Sequence, residues 1–168
     1  RGLFSISGTN FGKIFIKYGS RKFGLIISIK QCVPLQQMTA IVTYKGALRT
    51  TAVHSSGEQI TTDAPVDNHG LGAYFSPTDL LATSLASCFL TIVGIYCQER
   101  DLPFSDAEIQ VEKIMASNPR RVSSIRLIIN FGAHGWDEKT LKKIIAAGKS
   151  CPVAITLGKQ VNIEYLFK

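Results

Sequence analysis

Residues 76–100 read SPTDLLATSLASCFLTIVGIYCQER, and the interpretation of the whole chain turns on this stretch. Ser76 can accept a hydrogen bond from the first free backbone N–H groups of a helix, Pro77 is pre-set for the first helical position, and Asp79 stands three residues after Ser76 as in a capping box. A helix is predicted to start here. Beyond the start, Leu81, Leu85, Cys88, Ile92 and Ile95 recur at spacings of three and four, which puts Cys88 in the middle of an apolar stripe. Thr83, Ser84 and Ser87 flank it and are small enough to let another backbone or side chain come close. A buried cysteine often serves only as a small hydrophobe, so Cys88 has two readings here, packing or chemistry.

The chain has 168 residues, enough for one domain that buries about two-thirds of its unfolded surface without staples. Its four cysteines, Cys32, Cys88, Cys97 and Cys151, are far apart and form no CxxC pair. That argues against a zinc ribbon and a secreted disulfide scaffold, and for reduced thiols in a cytoplasmic setting. The formal charge is +7, but it is unevenly spread. Residues 1–37 hold Arg1, Lys13, Lys17, Arg21, Lys22 and Lys30 with no acidic residue, whereas the rest is nearly balanced. With no basic helix, RNP-type aromatic motif or zinc finger, neither a nucleic-acid nor a membrane partner is expected. His54, His69 and His134 share no metal-ligand spacing.

Residues 1–37 begin with Arg, and the first methionine is Met38. They are expected to be an atypical basic N-terminal extension (leader, upstream translated sequence or cloning remnant), with the domain proper at 38–168. The apolar run 23–29 is too short to span a bilayer.

Within 38–168, residues 39–44, 48–54 and 58–62 read as three short strands separated by turns at Gly46 and Gly57. A Gly-rich loop, 63–72, leads to the Ser76 helix. Residues 107–116 and a strand with Ile125, Leu127, Ile129 and Phe131 inward, against Ser124, Arg126 and Asn130, form a hairpin about 118–121. Asp137 caps a short helix with Leu141, Ile144 and Ile145 inward, and Gly148 is predicted as its stop. Pro152 then opens another short helix and places Cys151 at its N-cap, where the positive helix end favours a thiolate. An alternating strand through Val161, Ile163, Tyr165 and Phe167 closes the order βββ-α-ββ-αα-β, an α+β fold with a long central helix.

With these pieces in place, the chain resembles the OsmC/Ohr family of osmotically induced and organic-hydroperoxide-resistance proteins, in its OsmC-like branch. The matching stretches are Thr62-Asp-Ala-Pro65, Ser76-Pro-Thr-Asp through Ala-Ser-Cys88, and Ile144-Ile-Ala-Ala-Gly-Lys-Ser-Cys-Pro-Val153. The resemblance implies an intertwined homodimer with sites at the subunit interface and a peroxidase cycle free of metal, haem or other cofactor. In that cycle Cys88 is the peroxidatic residue, Cys151 resolves it, a small hydrophobic hydroperoxide is the substrate and an external dithiol is the reductant. A free thiol, with pKa about 8.5, is only a few per cent thiolate at neutral pH and needs a positive neighbour. Cys88 lies too deep in its helix for the dipole to serve.

Arg49 stands where the family carries its thiolate-stabilising arginine, and guanidinium keeps its charge when partly buried. Arg120, Arg121 and Arg126 read as surface charges. The Ohr branch places a glutamate directly after the helix-start proline to hold that arginine, and here the residue is Thr78. Asp79 is the adjacent acid and is weighed as the arginine's partner, although capping alone accounts for it. Cys97, nine residues beyond Cys88, points elsewhere and reads as packing. A non-catalytic stress-linked protein of the same fold, holding a small hydrophobic ligand at the dimer interface, is the alternative.

Overall fold

Three short strands precede the expected domain: β1 (Ile6–Thr9), β2 (Lys13–Tyr18) and β3 (Arg21–Phe23), paired antiparallel in the order β1-β2-β3. The computed structural model describes these strands by their backbone and residues 38–168 in full. Cys32 and residues 24–29 of the short apolar run lie outside the described residues. The chain divides into two units, Arg1–Ile41 with Val53–Glu58, and Val42–Ala52 with Gln59–Lys168.

The predicted meander forms β4 (Ala40–Gly46), β5 (Arg49–His54) and β6 (Gln59–Asp63), a sheet in that order. Gly46, Ala47 and Leu48 all take positive φ at the first turn, which leaves Arg49 as the first residue of β5. Most of this sheet's apolar side chains, among them Val42, Tyr44 and Ile60, are exposed.

The long helix α1 (Pro77–Gln98) starts as its sequence dictates. The Asp79 N–H donates to Ser76 Oγ at 3.1 Å and the Ser76 N–H donates to Asp79 Oδ2 at 2.8 Å, so both halves of the capping box are made. The line it buries differs from the predicted stripe. Ala82, Leu85, Ala86, Phe89, Val93 and Cys97 are buried, whereas Leu81 and Ile95 are 39% and 47% exposed. The helix is turned so that Phe89, its bulkiest apolar side chain, reaches the centre of the core. Cys97 is buried, and burial pushes its thiol pKa up despite Arg100 nearby.

The hairpin is β7 (Glu108–Ser117) with β8 (Arg120–Asn130). Ile125, Leu127 and Ile129 are fully buried and Phe131 nearly so, as their alternation predicts. Ser124, expected on the outer face, is instead buried. The parallel strand β9 (Asn162–Phe167) begins its pairing with β8 there and receives the Ser124 hydroxyl on the Asn162 carbonyl oxygen at 2.9 Å. On the outer face the register aligns Glu112, Arg126 and Glu164 on three adjacent strands, where the arginine bonds both acids.

Between β8 and β9 lie α2 (Glu138–Lys149) and α3 (Pro152–Leu157), which completes the α+β architecture. Asp137 caps α2 through the Thr140 N–H. Gly148 is not the predicted stop. The helix continues through Lys149 to its C-cap at Ser150, and Gly148 is buried against α1. A Cβ at this position would lie 2.5 Å from Cε2 and Cζ of Phe89. Glycine is here for close helix approach rather than for a left-handed turn.

This contact predicts the behaviour of Gly148→Ala. Alanine's helix advantage over glycine, about 1 kcal/mol, offsets only part of an overpacking cost of about 1–3 kcal/mol. The fully buried Phe89 ring has nowhere to swing. Urea denaturation should give a lower midpoint with an unchanged slope, and a midpoint equal to or above that of the parent chain would refute the close-approach role.

Candidate functional site

Phe89 anchors α1 on α2, and its neighbour Cys88 is thereby carried to the end of α2 where Cys151 caps α3. Cys88 is half-buried and Cys151 fully buried. Cys88 packs against the buried cluster that contains Cys151, near enough to raise the Cys151 pKa. Cys151 Sγ also accepts the Ala154 N–H at 3.4 Å, as an N-cap side chain should. The expected thiolate at this position does not follow. Burial pushes the Cys151 pKa up, the Ala154 N–H pulls it down by less, and the negative charge of a Cys88 thiolate would push it up further. Six residues of helix supply too little field to overcome removal from water. Tyr165 lies against the same pocket of sulfur, its pKa raised by burial and then by Cys151.

Arg49 is held elsewhere in the domain by a partner that sequence reasoning missed. Its terminal nitrogen lies 3.5 Å from Oδ2 of Asp63, the last residue of β6, which is completely buried. The same oxygen accepts the Ala73 N–H at 3.0 Å. The guanidinium carbon sits 5.4 Å from the centre of the Tyr74 ring. The Ala73 hydrogen bond, opposed by burial and assisted by Arg49, holds the Asp63 carboxyl below the usual range. Tight folding of the preceding loop makes this possible. Gly70 approaches Ala64 so closely that a Cβ would lie 1.7 Å from the Ala64 oxygen, and the Gly72 N–H bonds that same carbonyl.

Asp79 is not the arginine's partner. Lys113 of β7 takes it, with Nζ 2.6 Å from Asp79 Oδ1, 2.9 Å from Thr78 Oγ1 and 3.4 Å from Ser76 Oγ. Asp79 is already turned back to Ser76 by the capping box, which points its free oxygen at β7. Burial opposes ionisation of Asp79, but the bonds from Lys113 and Ser76 outweigh it and its pKa falls below 3.8. A signal for Lys113 was present, because it follows Ile109 and Val111 at strand period and so shares their inward face. Asp63 gave a weaker one, as a member of the family-matching stretch Thr62-Asp-Ala-Pro65 to which no role was attached.

Among the described residues no group of three histidine, cysteine or acidic side chains is placed to hold a metal ion. His54 bonds Ser56, and His134 stacks on Trp136 at 4.2 Å. Arg120 pairs with Asp67 on the surface. A cleft of about 710 Å³ runs beside Tyr74, Phe75, Asp79, Ala82, Val111 and Lys113, with neither cysteine in its lining. A smaller one, about 250 Å³, is lined by Leu48, Thr50, Thr62, Thr78 and Met115 among others.

The Asp79–Lys113 pair predicts an acid-sensitive part of the stability. Because the folded pKa of Asp79 is depressed, its contribution is whole above the unfolded value near 4 and fades as pH falls through the lower folded value. Asp79→Asn should cost about 1 kcal/mol at pH 7, modest because the carboxylate is one-third exposed and screened. Thermal melts from pH 7 to 2.5 should show the gap to the parent chain closing below pH 4, and a gap constant with pH would exclude the charged pair as its source.

Known proteins share this architecture. No curated protein sequence matches the chain. Among solved structures, a Psychrobacter arcticus protein named for an osmotic stress induced and detoxification response is 45% identical, covers 78% of this chain and 96% of its own, and superposes with a TM-score of 0.74. The organic hydroperoxide resistance protein OsmC of Legionella pneumophila (16% identical, 79% and 98% covered, TM-score 0.63) and OhrB of Bacillus subtilis (18%, 78% and 98%, TM-score 0.56) share the fold. A family model described as OsmC-like protein matches residues 69–165, which takes in α1, the hairpin and both cysteines of the paired site. By that match, over more than half of its length, and by the 45% identity, the chain belongs to the OsmC-like protein family.

Proposed function

We propose that this chain is a cysteine-based peroxidase that reduces organic hydroperoxides to alcohols in oxidative or osmotic stress defence. The observation that carries the proposal is the meeting of Cys88 and Cys151 beside the core, with Cys88 half-buried and Cys151 shut in behind it. In the first step the Cys88 thiolate attacks the terminal oxygen of ROOH. The O–O bond breaks, and the RO⁻ that leaves takes a proton to become alcohol, with Cys88 oxidised to the sulfenic acid. In the second, Cys151 attacks the Cys88 sulfur, hydroxide leaves as water with the Cys151 proton, and a disulfide forms. An external dithiol then reduces the disulfide by two exchange steps and is itself oxidised. Its match to the family's arginine position, rather than a contact within the single chain, supports assigning Arg49 to the thiolate, and the proposed setting is the reducing cytoplasm.

Surfaces left uncovered by the single chain support a homodimer as the working unit. Along α1 an 18-residue window has mean hydropathy 2.0, yet only 33% of it is buried. Leu81 and Ile95 of that helix and Val42, Tyr44 and Ile60 of the meander sheet are all exposed. Apolar faces on this scale are normally covered by another layer, and a second copy supplies one. An apolar setting also selects for a bulky organic hydroperoxide over H₂O₂, whose small polar body gains little from it.

Light scattering should give twice the chain mass. Cumene hydroperoxide at less than one equivalent, followed by peptide mass spectrometry, should yield a Cys88–Cys151 bridge. Cys88→Ser should abolish turnover, and Cys151→Ser should leave a Cys88 sulfenic acid that dimedone traps. Turnover by the Cys88→Ser protein would exclude the mechanism. Stoichiometric binding of a hydrophobic ligand with no hydroperoxide consumed would select the non-catalytic alternative.

A further inference from the structure

We propose that Asp63 is the positioning residue for Arg49, a carboxylate buried at the end of β6 that does what the acid missing at Thr78 does not do in this chain. The proposal rests on the peroxidase reading for the task of Arg49, and on the geometry alone for what holds it. Residue 78 is a threonine and carries no carboxyl, Asp79 is engaged by Lys113 and Ser76, and among the described residues Asp63 is the acid that pairs with the guanidinium. Asp63 has no access to water, so its charge has to be answered within the protein. The Ala73 N–H and Arg49 are the groups that answer it.

The pair also accounts for two buried atoms that have no hydrogen-bond partner among the described residues, Arg49 Nε and Asp63 Oδ1. One is a donor, the other an acceptor, and they belong to the two members of the same ion pair. Guanidinium and carboxylate favour a fork of two parallel bonds, and the pair has one contact, at 3.5 Å, with one spare group on each side. A second bond between these two spare groups would close the fork and fix the plane of the guanidinium, whose face Tyr74 backs. An arginine held along one edge keeps its other N–H groups aimed in a set direction, which a flexible side chain would not do. The loop of residues 64–74 is folded to serve this mount, since its close turn at Gly70 delivers both Ala73 and Tyr74 to the pair.

The test compares Asp63→Asn, which keeps the shape and removes the charge, with Asp79→Asn in the full chain. The rate of Cys88 alkylation by iodoacetamide at pH 7 is read by peptide mass spectrometry, next to kcat and KM for cumene hydroperoxide. Asp63→Asn should slow Cys88 alkylation about tenfold, the effect of one unit in the ionisation of a thiol, and lower kcat/KM to match. Asp79→Asn should change the alkylation rate less than twofold. Alkylation at the parent rate in Asp63→Asn, with Arg49→Ala slow, would overturn the role of Asp63 while leaving that of Arg49 intact. A parent rate in Arg49→Ala as well would overturn both together. Should Asp63→Asn fail to fold, Arg49→Lys decides in its place. It keeps the charge but cannot make the fork, so slowed alkylation supports the mount and an unchanged rate refutes it.

Discussion

The contact of the Phe89 ring with the bare backbone of Gly148 governs the site. Phe89 is next in sequence to Cys88, and Gly148 lies three residues before Cys151, whose N–H bonds the Gly148 carbonyl. Setting the ring on the glycine therefore sets the two thiols beside each other. Any side chain at residue 148 would have to push the ring away, and α1 with it. The hydrophobic core and the paired cysteines are thus products of one packing event, and the core around Phe89, Ile125, Leu127 and Ile144 supplies most of the driving force for it.

Charge is organised separately, in two pairs that do not share members. Lys113 and Asp79 tie the start of α1 to β7, and so fix the end of the helix that the capping box opens. Arg49 and Asp63 tie the start of β5 to the end of β6 and to the loop beyond. The first pair is partly exposed and is worth little beyond orientation. The second contains a carboxylate with no solvent contact, where removing one partner leaves an uncompensated charge and the penalty is correspondingly larger.

Much of the fold was legible because its signals are local. The capping residues Ser76, Pro77 and Asp79 mark a helix start by themselves, and the alternation of Ile125, Leu127 and Ile129 declares one buried strand face. The misreadings fall where a neighbour distant in sequence decides. Spacing alone leaves the rotation of α1 open by a residue or so, and the choice between Leu81 and Ala82 as the inward position was settled by where Phe89 finds room on α2. Gly148 resembled a helix stop because glycine serves both turns and close approaches, and only the facing ring tells them apart. Asp63 and Lys113 were hidden for a related reason: each is a single charged residue whose meaning comes from a partner in another element.

Burial assigns the two thiols unlike tasks on the peroxidase reading. Cys151 is sealed from solvent and its pKa is pushed up, so it remains protonated and does not compete for peroxide at neutral pH. That restraint lifts only after the first step. On that reading the first step consumes the Cys88 thiolate, and with it goes one of the influences that raise the Cys151 pKa. The hydroxide that leaves the sulfenic acid accepts the proton that Cys151 must lose. The Ala154 N–H, already directed at Cys151 Sγ, is then in place to steady the sulfur as charge develops on it. A resolving thiol too acidic at rest would be oxidised in its own right, whereas one merely buried and far away would never reach the sulfenic acid. Proximity combined with desolvation satisfies both requirements, and both follow from the short path Gly148-Lys149-Ser150-Cys151 that begins under the Phe89 ring.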